Sequence, residues 1–325
     1  MSDRPVRWGV MGAATFARKH MARAIHAAEG AQLVALATSA PEKALGFQAF
    51  APDLRLHDDY NALLADPDID AVYIPLPNHL HVSWALQAAE AGKHVLCEKP
   101  IAMRANEIDA LIATRDRTGL VMAEAYMIAH HPQWHKVRNL VQSGAIGDLR
   151  HVTACFTYDN SADAQNIRNK PETGGGSLPD IGVYTIGGAR FVTGAEPQRV
   201  RAVRIERENG IDTTTEFMAD FPDFTFSSLT SMRMFPHQSA FFHGDKGAVR
   251  LTAPFNPNVF GEAQVHLSRP DQGIETFRWP GVNHYVLQVE AFCRAVQNGE
   301  TYPWALEDAR GTQAAIDAVF EADQN

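Results

Sequence analysis

The chain has 325 residues, 45% hydrophobic and 21% charged, an ordinary globular composition with length for two domains that each hold a core. A formal net charge of −9 excludes the basic face that nucleic-acid binding needs, and no apolar run approaches the ~20 residues of a membrane-spanning helix. Three cysteines, Cys97, Cys155 and Cys293, stand in no ligand-like spacing, which points to reduced thiols. The start, Met-Ser-Asp-Arg-Pro-Val-Arg-Trp-Gly, enters a strand at once without a signal-peptide apolar stretch, so the expectation is a cytoplasmic protein.

The first third alternates strand and helix patterns. Strands are predicted at Val6–Met11, Gln32–Thr38, Ala71–Ile74, His94–Cys97 and Gly119–Glu124; helices at Phe16–Ala28, Pro41–Phe50, Asp59–Ala65, Leu80–Ala91 and Ala105–Arg117. Repeated strand–helix units with short connections imply a parallel sheet covered on both faces. After a helix at Pro132–Ser143 the pattern changes to strands: Arg150–Tyr158, Arg199–Arg207, Thr213–Phe221, Thr225–Met232, Ser239–His243, Ala248–Leu251 and Ala263–Leu267. Asp245-Lys246-Gly247 reads as a tight turn between two of them. One helix interrupts this set, Ile181–Val192, and two close the chain, Tyr285–Gln297 and Leu306–Ala322. The fold class is therefore an α/β Rossmann-type domain, residues 1–123, followed by an α+β domain with a large, mostly antiparallel open-faced sheet, residues 124–325.

Glu98-Lys99-Pro100 follows the His94–Cys97 strand, which delivers an acid and a base at a strand's C-terminal end, where ligands sit in open α/β sheets. Pro100 stiffens the exit, and a lysine held there can donate a proton or lower a neighbour's pKa. The first turn, Gly12-Ala13-Ala14-Thr15-Phe16-Ala17, keeps one glycine of the dinucleotide fingerprint and places alanines at the other two positions. Small residues there still let a pyrophosphate approach the helix start. No acid ends the second strand; Thr38, Ser39 and then Lys43 follow it, hydroxyls and a cation that suit a 2′-phosphate and so NADP, with NAD the alternative. Leu76-Pro77-Asn78-His79-Leu80-His81 makes a stiff loop after the fourth strand, where Asn78 caps a helix or reaches the cofactor. His131 and His135 would share a helix face, but without a third ligand, so no metal is expected. Farther on, Arg168 precedes Gly174-Gly175-Gly176-Ser-Leu-Pro-Asp180-Ile-Gly-Val-Tyr184. Three glycines allow close backbone approach to a ligand, and Asp180 and Tyr184 share one helix face. A phenol titrates near ~10, and a neighbouring ammonium would bring it towards the working range of a base.

Together, Gly12-Ala-Ala, Ala89-Glu-Ala-Gly-Lys-His-Val-Leu-Cys-Glu-Lys-Pro100 and Gly174–Tyr184 resemble the glucose–fructose oxidoreductase/inositol dehydrogenase (Gfo/Idh/MocA) family over nearly the full chain. The His243–Leu251 hairpin and the run from Asn283 to Phe292 belong to the same resemblance. It implies Lys99, Asp180 and Tyr184 as the catalytic group, with Arg168 reaching a substrate or cofactor oxygen. Cofactor contacts are expected from Gly12, Ala13, Ala14, Thr15, Phe16, Thr38, Ser39, Lys43, Leu76, Asn78, His81, Glu98 and Lys99. Tyrosine at position 184, where many members carry histidine, resembles NADP-dependent aldose dehydrogenases and dihydrodiol dehydrogenase. The reaction implied is hydride exchange at a sugar carbinol carbon, with an aldose C1 ahead of a trans-dihydrodiol or an inositol. A dinucleotide sensor without turnover is the alternative of another class, and a metal-dependent hydrolase ranks last. The resemblance further implies a cis Lys99–Pro100 bond and a homodimer or homotetramer formed through the C-terminal sheet. The sequence shows no counterpart of the long N-terminal arm and export signal of the exported glucose–fructose enzyme, so neither tight cofactor retention nor a periplasmic location is expected.

Overall fold

The computed structural model describes residues 4–324 and divides into two compact units. The first comprises residues up to His130 together with His284–Arg310; the second comprises His131–Asn283 and the residues from Gly311 on. The continuous division expected after residue 123 thus differs in two ways: the first unit runs seven residues further, and it recruits the helix His284–Asn298 from near the chain's end.

The first unit is a six-stranded, all-parallel sheet in the order β3-β2-β1-β4-β5-β6, with β1 Val6–Met11, β2 Ala31–Ala37, β3 Arg55–His57, β4 Ala71–Ile74, β5 His94–Cys97 and β6 Met122–Glu124. Every residue of β4 is buried and β5 is buried from Val95 on, as strands covered on both faces must be. Between β1 and β2 a π-helical turn, Ala17–Met21, leads into α1, Ala22–Ala27. The other connections carry α2 Pro41–Gln48, α3 Tyr60–Ala65, α4 His81–Glu90 and α5 Ala105–Thr118. Asp59 caps α3 by accepting the Ala62 amide at 2.8 Å. β3 escaped the sequence reading because it is a three-residue strand, two of them exposed, with no apolar alternation. The strand expected from Gly119 begins only at Met122, because α5 runs to Thr118 and Gly119 is its left-handed cap. The late helix His284–Asn298 joins this unit by apolar contact: Phe292 meets the fully buried Trp8 of β1, ring centres 5.0 Å apart.

The second unit holds α6 Pro132–Gln142, α7 Val183–Thr193 and an eight-stranded sheet. Its strands are β7 Leu149–Asp159, β8 Arg199–Glu208, β9 Ile211–Asp220, β10 Thr225–Ser231, β11 Arg233–Gly244, β12 Ala248–Leu251, β13 Ala263–Arg269 and β14 Gly273–Trp279, ordered β14-β13-β12-β11-β7-β10-β9-β8. All neighbours are antiparallel except β10 with β7. Burial alternates along β7: Val152, Ala154 and Phe156 are buried, whereas Thr153 between them is exposed. β14 was missed because its residues are mostly exposed and show no apolar periodicity. α8, His284–Asn298, and α9, Leu306–Ala322, end the chain.

Candidate active site

In the first unit β1 ends at Met11, and Gly12 turns the chain with φ of 112°, a value side-chain-bearing residues rarely adopt. A methyl group on it would also crowd Leu76 Cδ2, 3.1 Å away. Arg18 N to Ala14 O, 3.0 Å, is the first bond of the following helix, which leaves the preceding amides, beside the half-buried Ala13 and Ala14, as the donors a pyrophosphate needs. Thr15 is exposed and Phe16 packs edge-on to Tyr285 at 5.7 Å. At the end of β2, Thr38 Oγ1 accepts the Ala40 amide at 3.2 Å, a local turn that leaves Ser39 and Lys43 exposed. No carboxylate occupies the strand end, so the residues fit a dinucleotide carrying a 2′-phosphate.

After β4 the buried Leu76 and then Asn78, which opens a short 3-10 turn, lead to His81 at the start of α4. His81 is fully buried, with Nδ1 2.8 Å from Pro100 O and Nε2 2.8 Å from Leu76 O. Its ring therefore ties the two loops together and does not itself reach a cofactor, which corrects its expected contact role. Burial, opposed by the two carbonyls, pulls this imidazole below its usual range.

The Lys99–Pro100 bond is cis. Glu98 accepts the Tyr73 hydroxyl proton at 2.6 Å on Oε1, and burial together with that carboxylate raises the phenol's pKa, so Tyr73 stays a donor. Behind them Glu124, 2% exposed, accepts Ile101 N and Trp304 Nε1, each at 3.0 Å. Burial raises this carboxyl's pKa, opposed by the two donors and by the Lys99 charge. The peptide after Pro100 is thus fixed from below by a buried acid.

In the second unit a π-helical turn, Leu178–Gly182, opens α7 and carries Asp180; Tyr184 follows in the first turn of α7. Among the described residues the two π-helical turns are this one and that of the first helix. Asp180 Oδ2 accepts the Tyr158 hydroxyl at 2.7 Å and pairs with Arg168 Nε at 2.9 Å. Tyr184 packs between Phe156 and Phe255, ring centres 5.8 Å away in each case. Since Phe156 and Tyr158 are two apart on β7, Asp180 and Tyr184 look onto one face of that strand, as their spacing predicted. Burial and the Asp180 charge raise the Tyr158 pKa and keep it protonated, while Asp180 above all raises that of Arg168. Arg168 thus orients Asp180 through Nε, a partner that its expected reach to a substrate or cofactor oxygen did not name.

The glycine run has a different reason from the one expected. A Cβ on Gly175 would overlap the Arg168 carbonyl, and one on Gly176, whose φ is 130°, would overlap Asp212 Oδ1. The glycines bring the chain against its own backbone and against a buried acid. Asp212, 4% exposed on β9, accepts Leu178 N at 2.6 Å, Ser177 Oγ at 2.8 Å and Thr215 Oγ1 at 3.1 Å. It caps the helix of Asp180 and Tyr184 from another strand. His131, in turn, is the N-cap of α6 (φ −80°, ψ 129°), its Nδ1 accepting the Gln133 amide at 3.1 Å, so it stands outside the helix that holds His135.

Comparison with known proteins agrees with these features. Residues 6–126 match the oxidoreductase family with an NAD-binding Rossmann fold, and residues 134–250 match the Gfo/Idh/MocA C-terminal domain. An uncharacterized oxidoreductase of Rhizobium meliloti is 39% identical over 97% of this chain and 96% of its own. The chain belongs to the Gfo/Idh/MocA oxidoreductases. Within that family, the D-xylose 1-dehydrogenase (NADP(+)) 2 of Haloferax volcanii is 33% identical over 97% of this chain and 96% of its own. A 3-ketoreductase from Actinomadura kijaniata, solved with NADP and TDP-benzene, superposes with a TM-score of 0.90 at 30% identity, covering 98% of each chain. That membership makes the chain an NAD(P)-dependent oxidoreductase.

Proposed function

We propose that this Gfo/Idh/MocA protein catalyses reversible NADP-linked oxidation of a sugar carbinol carbon, C1 of a cyclic aldose, to give a lactone. The carrying observation is the α7 entrance, where Tyr184 lies one turn beyond an Asp180 held by Tyr158 and Arg168. Tyr184 Oη takes the hydroxyl proton as general base. Lys99 is the residue that the family resemblance assigns to steady the phenolate by its positive charge. Asp180, with its lone pairs oriented by two donors, holds a neighbouring sugar hydroxyl. NADP, when bound, would supply the two-electron hydride chemistry. Gly12, Ala13, Ala14, Thr15 and Phe16 would hold the pyrophosphate end, and Thr38, Ser39 and Lys43 the adenosine 2′-phosphate. Leu76, Asn78 and Glu98 would line its nicotinamide side. NADP is favoured over NAD by the absent acid at the end of β2 and by the NADP named for the xylose dehydrogenase and bound in the ketoreductase.

The similarity to the ketoreductase favours a second substrate, a nucleotide-linked keto sugar reduced by the same groups in reverse. Absorbance at 340 nm separates the two, with NADP and a panel of aldoses, inositols and a trans-dihydrodiol, and with NADPH and a dTDP-linked keto sugar. NADPH appearing with an aldose, and not with the Tyr184→Phe variant, is the expected result. NADPH consumed by the keto sugar alone would favour the second reading, and turnover in neither direction would favour a dinucleotide sensor. We further propose that the sheet face opposite α6 and α7, with Thr153, Met218 and His243 exposed, is where subunits pair.

A further inference from the structure

We propose that Arg18 is a second cation for the adenosine 2′-phosphate and sets the preference for NADP over NAD; this rests on the NADP reading above. Arg18 lies in the π-helical turn of the first helix, immediately beyond the small residues expected to face the pyrophosphate. Its stem crosses α2 at Gly46: a methyl group there would overlap Arg18 Cδ and come within 3.1 Å of Nη1 and 3.3 Å of Nε. Glycine is a poor helix former, and at this point of α2 its missing side chain leaves the space that the arginine stem and Nη1 occupy.

Lys43 stands three residues before Gly46 on α2, on the same side and one turn nearer the helix start. Arg18, laid across Gly46, thus shares with Lys43 the helix that directly follows the strand end with its hydroxyls and no acid. Among the described residues no carboxylate pairs with Arg18, not even Glu42 one turn from Gly46, so its charge is not consumed internally. Lysine is a point charge on a flexible stem; a planar guanidinium offers the paired donors that match phosphate oxygens. The division of roles follows: Lys43 adds attraction, and Arg18, laid against Gly46, adds geometry. NAD has no phosphate at that position and so loses nothing when Arg18 is removed.

The test titrates NADPH and NADH into the full-length protein and its Arg18→Ala and Arg18→Lys variants, following energy transfer from tryptophan to the reduced nicotinamide. A charge-assisted bond to phosphate predicts that Arg18→Ala weakens NADPH about tenfold or more and leaves NADH within about twofold. Arg18→Lys should recover part of the loss, and 2′,5′-ADP but not 5′-AMP should compete less well in Arg18→Ala. Equal weakening of both dinucleotides, or no change in either, overturns the proposal while the NADP reading stands. A wild-type protein that binds neither dinucleotide overturns the cofactor reading and this proposal with it.

Discussion

Tyr184 and Asp180 share a helix face, and their partners explain why each is held still. Asp180 spends Oδ2 on Tyr158 and Arg168, which fixes its orientation, and Tyr184 is wedged by Phe156 and Phe255. Replacing Tyr184 by phenylalanine keeps that ring packing and removes only the proton acceptor, so kcat should fall by about 10²–10⁴ with the thermal midpoint unchanged. Tyr158→Phe takes a donor from a buried carboxylate; it should cost on the order of 1.5–3 kcal/mol in urea denaturation. His131 gives a pH signature. Burial, then the nearby His135, pulls its pKa from 6.5 down to about 4, and its Nδ1 must stay unprotonated to cap α6. The unfolded chain takes up this proton as pH falls through 6.5 and the folded protein only near 4, so stability drops across that window and levels off below it. The full loss is on the order of 3 kcal/mol. His131→Asn keeps a capping oxygen and should flatten the urea midpoint between pH 6.5 and 4; an unchanged slope would assign the acid sensitivity to another group. The glutamate–lysine–proline triplet and the Asp180/Tyr184 spacing were legible because each is local in sequence. Tyr158, Tyr73, Glu124 and Asp212 were not, since their partners lie 22, 25, 23 and 34 residues away.

At the scale of elements, the helix from Leu178 to Thr193 carries Asp180 and Tyr184, the pair proposed for catalysis, and its start is held by a strand. Asp212 satisfies two donors at that start, so Asp212→Ala should cost about 1–3 kcal/mol in unfolding free energy and lower activity with it. Gly176→Ala combines a left-handed φ with overlap onto Asp212, and a loss of stability at least as large is expected in the same measurement. Near-normal stability in both variants would mean the cap is not needed to set this helix. The parallel strands were legible because continuous apolar runs such as β4 have few other readings. β3 and β14 were not, because backbone pairing to a neighbour, not side-chain burial, makes them strands.

For the molecule as a whole, the change from alternating strand–helix units to a run of strands marked two units. The return of α8 to the first unit was hidden, because an amphipathic helix announces a buried face without naming what covers it. The exposed face of the eight-stranded sheet predicts an oligomer by light scattering, and Met218→Glu with Phe241→Glu on that face should shift it towards monomer. A wild-type protein that is monomeric at micromolar concentration would contradict the pairing. The central claim, hydride exchange at C1 of an aldose, is tested most directly by mixing the protein with NADP and C1-deuterated D-xylose or D-glucose, then weighing the reduced dinucleotide by mass spectrometry. The account predicts NADPH heavier by one deuterium with at least one sugar, and none formed by Tyr184→Phe; reduced dinucleotide without deuterium, or none with any aldose, would contradict it.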